Sequence, residues 1–289
     1  RPDVEYDDHV RTTLDLWEAP SGAPTPLIVF IHGGGFRGGD KGQARRRYGP
    51  LVRTCLRSGV SFASINYCLI GDGVNILHCL HDSARAIQFL RHRADRYNLD
   101  PSRFAAFGGS AGAGTSLWLG VHDDLADPDS KDPVERQSTR LSACGMLNGQ
   151  CTYNLLRWPD LIGPAPEKTD YLQEMTRLLR VKSQQALRKA ELEEARRELD
   201  MLARMDGSDA AVFLYSGGSL DDATSRGHYI HHPRHSVVVH ERAQELGLDS
   251  LLLLPARDPS LNRRKMQEQL LEFFFKHLQV DKKPELGLL

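Results

Sequence analysis

The feature that most constrains this chain is Phe104-Ala105-Ala106-Phe107 running directly into Gly108-Gly109-Ser110-Ala111-Gly112 and then a small-residue helical segment over 111–121. An apolar strand, a sharp turn and a helix in that order place a serine at a backbone corner. Small neighbours are needed there to keep strand and helix from colliding. A serine so placed projects from the end of the sheet as a candidate nucleophile. The helix start, with the Ala111 N–H among its donors, faces any negative charge that develops beside it.

A second run, Leu27-Ile28-Val29-Phe30-Ile31, ends in His32-Gly33-Gly34-Gly35-Phe36. Near-continuous apolar strands of this kind suit a buried parallel sheet. Glycines after the strand let backbone N–H groups approach a substrate without side-chain obstruction, so Gly34 and Gly35 join Ala111 as expected oxyanion donors. His32 reads as a structural residue holding this loop.

The rest of the chain alternates in the same way. Residues 4–19 suggest one or two edge strands; 48–57 and 81–96 read as helices, and 60–69 and 141–147 as strands. Strands over 211–215 and 251–254 follow, with helices over 236–246 and 262–278. Alternating strands and helices predict a mostly parallel sheet covered on both faces. Composition changes near Trp158. Residues 170–205 are almost free of helix breakers and rich in Leu, Glu, Arg and Ala, predicting one long amphipathic helix or two shorter ones. The chain therefore divides into an N-terminal core part (1–157), a helical insertion or cap (158–208) and a C-terminal core part (209–289). The insertion could line the site, cover it or pair with another chain, so a homo-oligomer is compatible with the pattern.

A formal net charge of −1 offers no excess of positive charge to hold a phosphate backbone, and a nucleic-acid partner is disfavoured. No apolar run reaches the roughly 20 residues that span a bilayer, and Arg1 to Glu5 carry no signal-like apolar stretch. The chain does not begin with Met, which leaves a bacterial secreted protein and a cytoplasmic one both open. The five cysteines show no CxxC and no regular spacing, so they read as buried small hydrophobes, and no metal is expected. Gly38-Gly39-Asp40-Lys41-Gly42 lacks the ordered pattern of a phosphate-binding loop, and Lys41 with Arg45 to Arg47 reads as a solvated basic face or substrate rim.

Taken together, His32 to Phe36, Ile65-Asn66-Tyr67, the segment Asp82 to Leu90, and Phe107 to Gly112 resemble the α/β-hydrolases related to hormone-sensitive lipase, particularly small bacterial esterases and acetyl-xylan or feruloyl-esterase-like relatives. The resemblance covers roughly residues 25–125, is looser over 205–279 and is absent through the helical segment. It implies an α/β-hydrolase fold with an eight-stranded, mostly parallel sheet, and ester hydrolysis through an acyl-enzyme on Ser110. It also implies no cofactor and a small ester substrate, an acylated carbohydrate among the candidates.

Two positions depart from the family pattern. Cys68 stands where an arginine usually follows the Asn-Tyr pair. More consequentially, Pro255-Ala256-Arg257-Asp258-Pro259 follows the last strand with no histidine, and a serine hydroxyl is a poor nucleophile at neutral pH without a base. Asp258, in that slot, would be a weak base. The nearest histidines cluster at His228, His231, His232 and His235, after the 211–215 strand. The expected triad is therefore Ser110, His232 and Asp222, with His231, His235, Asp221 and Asp258 as alternative members. A hydrolase-fold binding or scaffold protein with impaired catalysis is the competing reading.

Overall fold

The computed structural model describes residues 1–167, 169–282 and 284. Lys168 of the expected insertion, Lys283 and the last five positions of the expected C-terminal core part lie outside the described residues.

Eight strands form one sheet: β1 (Val4–Glu5), β2 (Thr13–Trp17), β3 (Thr25–Ile31), β4 (Ser61–Ile65), β5 (Leu99–Gly109), β6 (Ala143–Leu147), β7 (Ala211–Tyr215) and β8 (Ser250–Leu253). Their spatial order is β1-β2-β4-β3-β5-β6-β7-β8. β2 is antiparallel to both its neighbours, and every pair from β4 to β8 is parallel. The expected α/β architecture is thus observed. Between the strands run α1 (Gln43–Arg57), α2 (Ile76–His92) and α3 (Ala111–Val121). The later helices are α4 (Trp158–Ile162), α5 (Tyr171–Leu179), α6 (Glu193–Glu198), α7 (Met201–Arg204), α8 (Arg226–Ile230), α9 (Arg234–Glu245) and α10 (Arg263–His277).

Strand periodicity sorts side chains between two apolar layers. Leu27, Val29 and Ile31 of β3, with Phe104 and Ala106 of β5, face the layer that holds α2, α3 and α9. Ile28 and Phe30, with Ala105 and Phe107, face the layer of α1 and α10. Every residue of α3 is buried, because it is apolar or small all round. Its glycines allow close approach: a Cβ at Gly112 would stand 2.1 Å from the Ile31 carbonyl oxygen.

The expectation of one or two continuous helices over 170–205 is corrected. The segment breaks into α5, short 3₁₀ turns at Gln185–Arg188 and Ala190–Leu192, α6 and α7. Arg180 ends α5 in the left-handed region at φ 55°, and the Asp200 side chain caps α7. Met175, Leu178, Leu187, Leu199 and Met201 pack into the main core. Burying apolar residues so irregularly spaced against a fixed body requires the axis to change direction, since one straight helix presents only one stripe. All five cysteines are buried and unpaired. Among the described residues no helix is long and apolar enough to cross a membrane.

Candidate active site

Parallel register decides which loops meet. Ile31 is aligned with Gly108, Gly109 with Leu147, and Leu147 with Tyr215. The loops leaving β3, β5, β6 and β7 therefore emerge side by side at the carboxyl edge of the sheet, where the strand order departs in both directions from β3.

Ser110 occupies this edge at φ 55° and ψ −120°, a strained conformation for a residue with a side chain. Its N–H donates to the Leu147 carbonyl at 3.0 Å, and its own carbonyl accepts from Ala113 and Gly114 as α3 begins. Opposite lies the glycine loop. Gly34, at φ 134°, passes so close to Gly38 that a Cβ would stand 2.1 Å from the Gly38 carbonyl oxygen. Phe36 anchors the loop, packing edge-on against Tyr153 and tilted against Tyr67. His32 stacks on Tyr67 with centroids 4.4 Å apart. Burial pulls its pKa down to about 4, so it stays neutral and structural, as its position in the sequence suggests.

Two cavities adjoin Ser110 and share it with Gly34 and His231. The larger, about 820 Å³, is lined on its polar side by Gln43, Arg47, Tyr215 and Arg263. The smaller, about 280 Å³, is walled by Phe36, Leu155, Trp158, Leu178 and Ile230. At its rim Glu174 of α5 pairs with Arg37 at 2.5 Å and Arg226 at 3.2 Å, tying the 170–205 segment to the glycine loop and α8.

The histidine cluster separates by environment. His231 faces the serine's cavities, and its Nδ1 lies 3.0 Å from the carbonyl oxygen of Asn148, the residue that follows β6. A carbonyl only accepts, so this 3.0 Å contact calls for the proton on Nδ1 and the lone pair on Nε2, although the Gln150 amide nitrogen also lies 3.4 Å from Nδ1. Burial lowers the pKa of His231. Among the described residues no side chain hydrogen-bonds Ser110 Oγ, so His231 does not touch it directly.

His232, the expected base, is buried with both ring nitrogens engaged: Nε2 with the Asp221 carbonyl at 2.8 Å, Nδ1 with the Arg234 N–H at 3.1 Å. It lines neither cavity. His235 is buried against Cys151 and Trp158, and burial pulls its pKa down to about 3. Asp222 is exposed and lies 3.9 Å from Arg234. Asp221 is exposed, its carboxylate accepting from Ser219 at 2.5 Å. Asp258 caps its own turn through Ser260 at 2.9 Å. None of these carboxylates lines the cavities at Ser110. The structure thus brings together Ser110, Gly34, Gly35, Ala111 and His231, and leaves Asp222 and His232 outside the pair of cavities.

Of the basic rim, Arg47 lines the larger cavity. Lys41 does not share the solvated face expected for it: it is buried and paired with Asp15 at 2.9 Å and Asp3 at 2.6 Å. Asn148, at φ 50°, escaped the sequence reading because nothing local marks a carbonyl as a ring's partner. Its signal was only its position one residue beyond the predicted 141–147 strand.

A serine on a strained strand-to-helix corner, facing a glycine loop at the carboxyl edge of a mostly parallel eight-stranded sheet, defines an α/β-hydrolase related to carboxylesterases. The chain belongs to the BD-FAE family, whose model matches residues 14–178.

A probable isoprenylcysteine alpha-carbonyl methylesterase of Arabidopsis thaliana is 29% identical over 162 residues, taking in 55% of this chain and 32% of that protein. Gut esterase 1 of Caenorhabditis elegans is 26% identical over 127 residues, 41% of this chain and 22% of that protein. These matches thus take in a third or less of the curated relatives' own length. Among solved structures, a truncated carbohydrate esterase from gut microbiota superposes with a TM-score of 0.72 at 17% identity, covering 96% of both chains. An esterase of the Planctomycetes species Thermogutta terrifontis superposes with a TM-score of 0.69 at 18% identity, covering 98% of this chain and 94% of that one. At such identities the likeness concerns the fold.

Proposed function

We propose that the chain is a serine esterase working through an acyl-enzyme, with Ser110 as nucleophile and His231 in place of the expected His232 as base. The observation that carries this reading is that Ser110 and His231 line the same two cavities, with the imidazole Nδ1 turned to the Asn148 carbonyl. Ser110 Oγ attacks the ester carbonyl carbon and its proton passes to His231 Nε2 once the ring closes on the serine. Catalytic hydrogen bonds often tighten only in the substrate complex. The carbonyl oxygen, now an oxyanion, is held by N–H groups of Gly34, Gly35 and Ala111. The imidazolium returns its proton to the leaving alcohol. His231 then activates water, which releases the acid and frees Ser110.

The smaller cavity, with Phe36, Leu155, Trp158, Leu178 and Ile230 on its walls, suits a short acyl group. The larger one, with Gln43, Arg47, Tyr215 and Arg263, suits a polar alcohol such as a sugar. The names of the carbohydrate-esterase neighbours agree with an acylated carbohydrate but do not carry the argument. Neither a metal nor a cofactor enters these steps.

Turnover of a short-chain aryl ester by the wild-type chain and by Ser110→Ala tests the proposal. A fall of several orders of magnitude in the variant is expected, and equal rates would refute it. One observation favours a second reading, a binding protein with residual catalysis: the Nδ1 proton of His231 meets a carbonyl, where a carboxylate would stabilise the imidazolium far better. That reading expects Ser110 to label with a fluorophosphonate no faster than serine in an unfolded chain.

A further inference from the structure

Away from Ser110, five side chains capable of ligating a metal gather beside the glycine loop's support. A sulfur, a ring nitrogen and a carboxylate oxygen from Cys68, His78 and Asp82 lie within 4.8 Å of one another, and so do those of His9, Cys68 and Asp72. Cys68 is common to both groups. His78 and Asp82 are one turn apart on α2 and share a face, with Nε2 and Oδ1 3.5 Å apart. The Cys68 N–H donates to Asp82 Oδ2 at 2.8 Å, which fixes the loop against the helix.

The surroundings suit a cation. Asp82 is 7% exposed, and among the described residues it pairs with neither lysine nor arginine, only with the His78 imidazole. A buried carboxylate without a full positive partner is costly. Arg11, the guanidinium of this neighbourhood, is taken up by the carbonyls of Tyr67 and Gly39.

We propose that Cys68, His78 and Asp82 supply three ligands to a divalent ion of the zinc class. A mixed sulfur, nitrogen and oxygen donor set favours zinc over magnesium or calcium. Donors at about 2.0–2.3 Å in a tetrahedron stand about 3.3–3.8 Å apart, so the three donor atoms, which lie within 4.8 Å of one another, must close by about 1–1.5 Å at most. The half-exposed His78 ring is free to make that movement.

Formation of the metal–sulfur bond displaces the thiol proton, releasing one proton to solvent. Because the Ile70 N–H donates to the Phe36 carbonyl at 2.8 Å, pinning this turn braces the glycine loop from behind. No step of the proposed ester hydrolysis passes through the ion, and the site is independent of that reading.

The full chain, stripped with a chelator and dialysed, is titrated with cobalt(II) and then zinc. The expected result is one equivalent bound, a thiolate-to-cobalt charge-transfer band that zinc abolishes, and release of about one proton. Cys68→Ser should remove the band, and His78→Gln should weaken zinc binding at least tenfold, while Cys79→Ser keeps the band. Absence of the charge-transfer band in the wild-type chain overturns the proposal even if every variant misfolds. So does a band that survives Cys68→Ser, or zinc affinity unchanged in His78→Gln.

Discussion

Ser110 and His231 are residues whose roles depend on a few dihedral angles and one carbonyl. The serine's φ of 55° is tolerated because α3 starts immediately and the Leu147 carbonyl holds its N–H. For His231, the Asn148 carbonyl selects the tautomer, and burial lowers the pKa from 6.5. The neutral ring is the working form of a base. Hence kcat/KM should fall as pH drops through an apparent pKa below 6.5 and stay level above it toward neutrality. Stopped-flow or steady-state pH profiles of the aryl ester check this, and a limb above 6.5 would point to another group. His231→Gln should lower kcat by about 10²–10⁴. His232→Gln should leave kcat within a few-fold and act on stability through its lost contact with the Asp221 carbonyl. A reversed ranking in single-turnover assays would return the role of base to His232.

At the scale of elements, the crossing of β3, β5 and α3 is the tightest constraint on the site. Replacing Gly112 by alanine would gain about 1 kcal/mol of helix propensity. That gain is outweighed, because the new Cβ would meet two backbone oxygens, of Ile31 at 2.1 Å and His32 at 2.7 Å, which cannot move without shifting β3. Gly112→Ala should therefore be destabilising by about 1–3 kcal/mol, read as a lower urea midpoint, and should slow fluorophosphonate labelling of Ser110. The 170–205 segment belongs to this scale too. Its amphipathic composition was legible, but its breaks were not, since they follow from the surface against which Met175, Leu187 and Leu199 are pressed.

For the molecule as a whole, two histidines buried in the neutral state make folding sensitive to acid. Folded pKa values are about 4 for His32 and about 3 for His235, against 6.5 for an ordinary imidazole. Below pH 6.5 the unfolded chain takes up protons on these rings and the folded chain does not. Stability is therefore lost as pH falls, by about 1.4 kcal/mol per unit for each ring, until the folded pKa is reached. Above pH 6.5 the two rings contribute no slope. Urea titrations at pH 7, 6 and 5 should show the decline, and His235→Gln should flatten part of it. An unchanged slope in that variant would contradict the assignment.

The sequence by itself determined the strand-to-helix corner at Ser110, the glycine loop after Ile31, the order of most strands and helices, and the missing histidine after the last strand. All of these rest on neighbours within a few residues: side-chain periodicity, the small residues a tight corner needs, or simple presence and absence. Which histidine meets the serine was decided by the tertiary structure. His231 and His232 are adjacent in the chain and chemically identical, and only the packing of α8 against the loop after β6 gives one of them Asn148 and the other Asp221. The same holds for the gathering of Cys68 with His78 and Asp82, which exists only once the loop after β4 packs against α2. The identity of the nucleophile is a property of a short segment, whereas the identity of its base belongs to contacts that exist only after the sheet has closed its ranks.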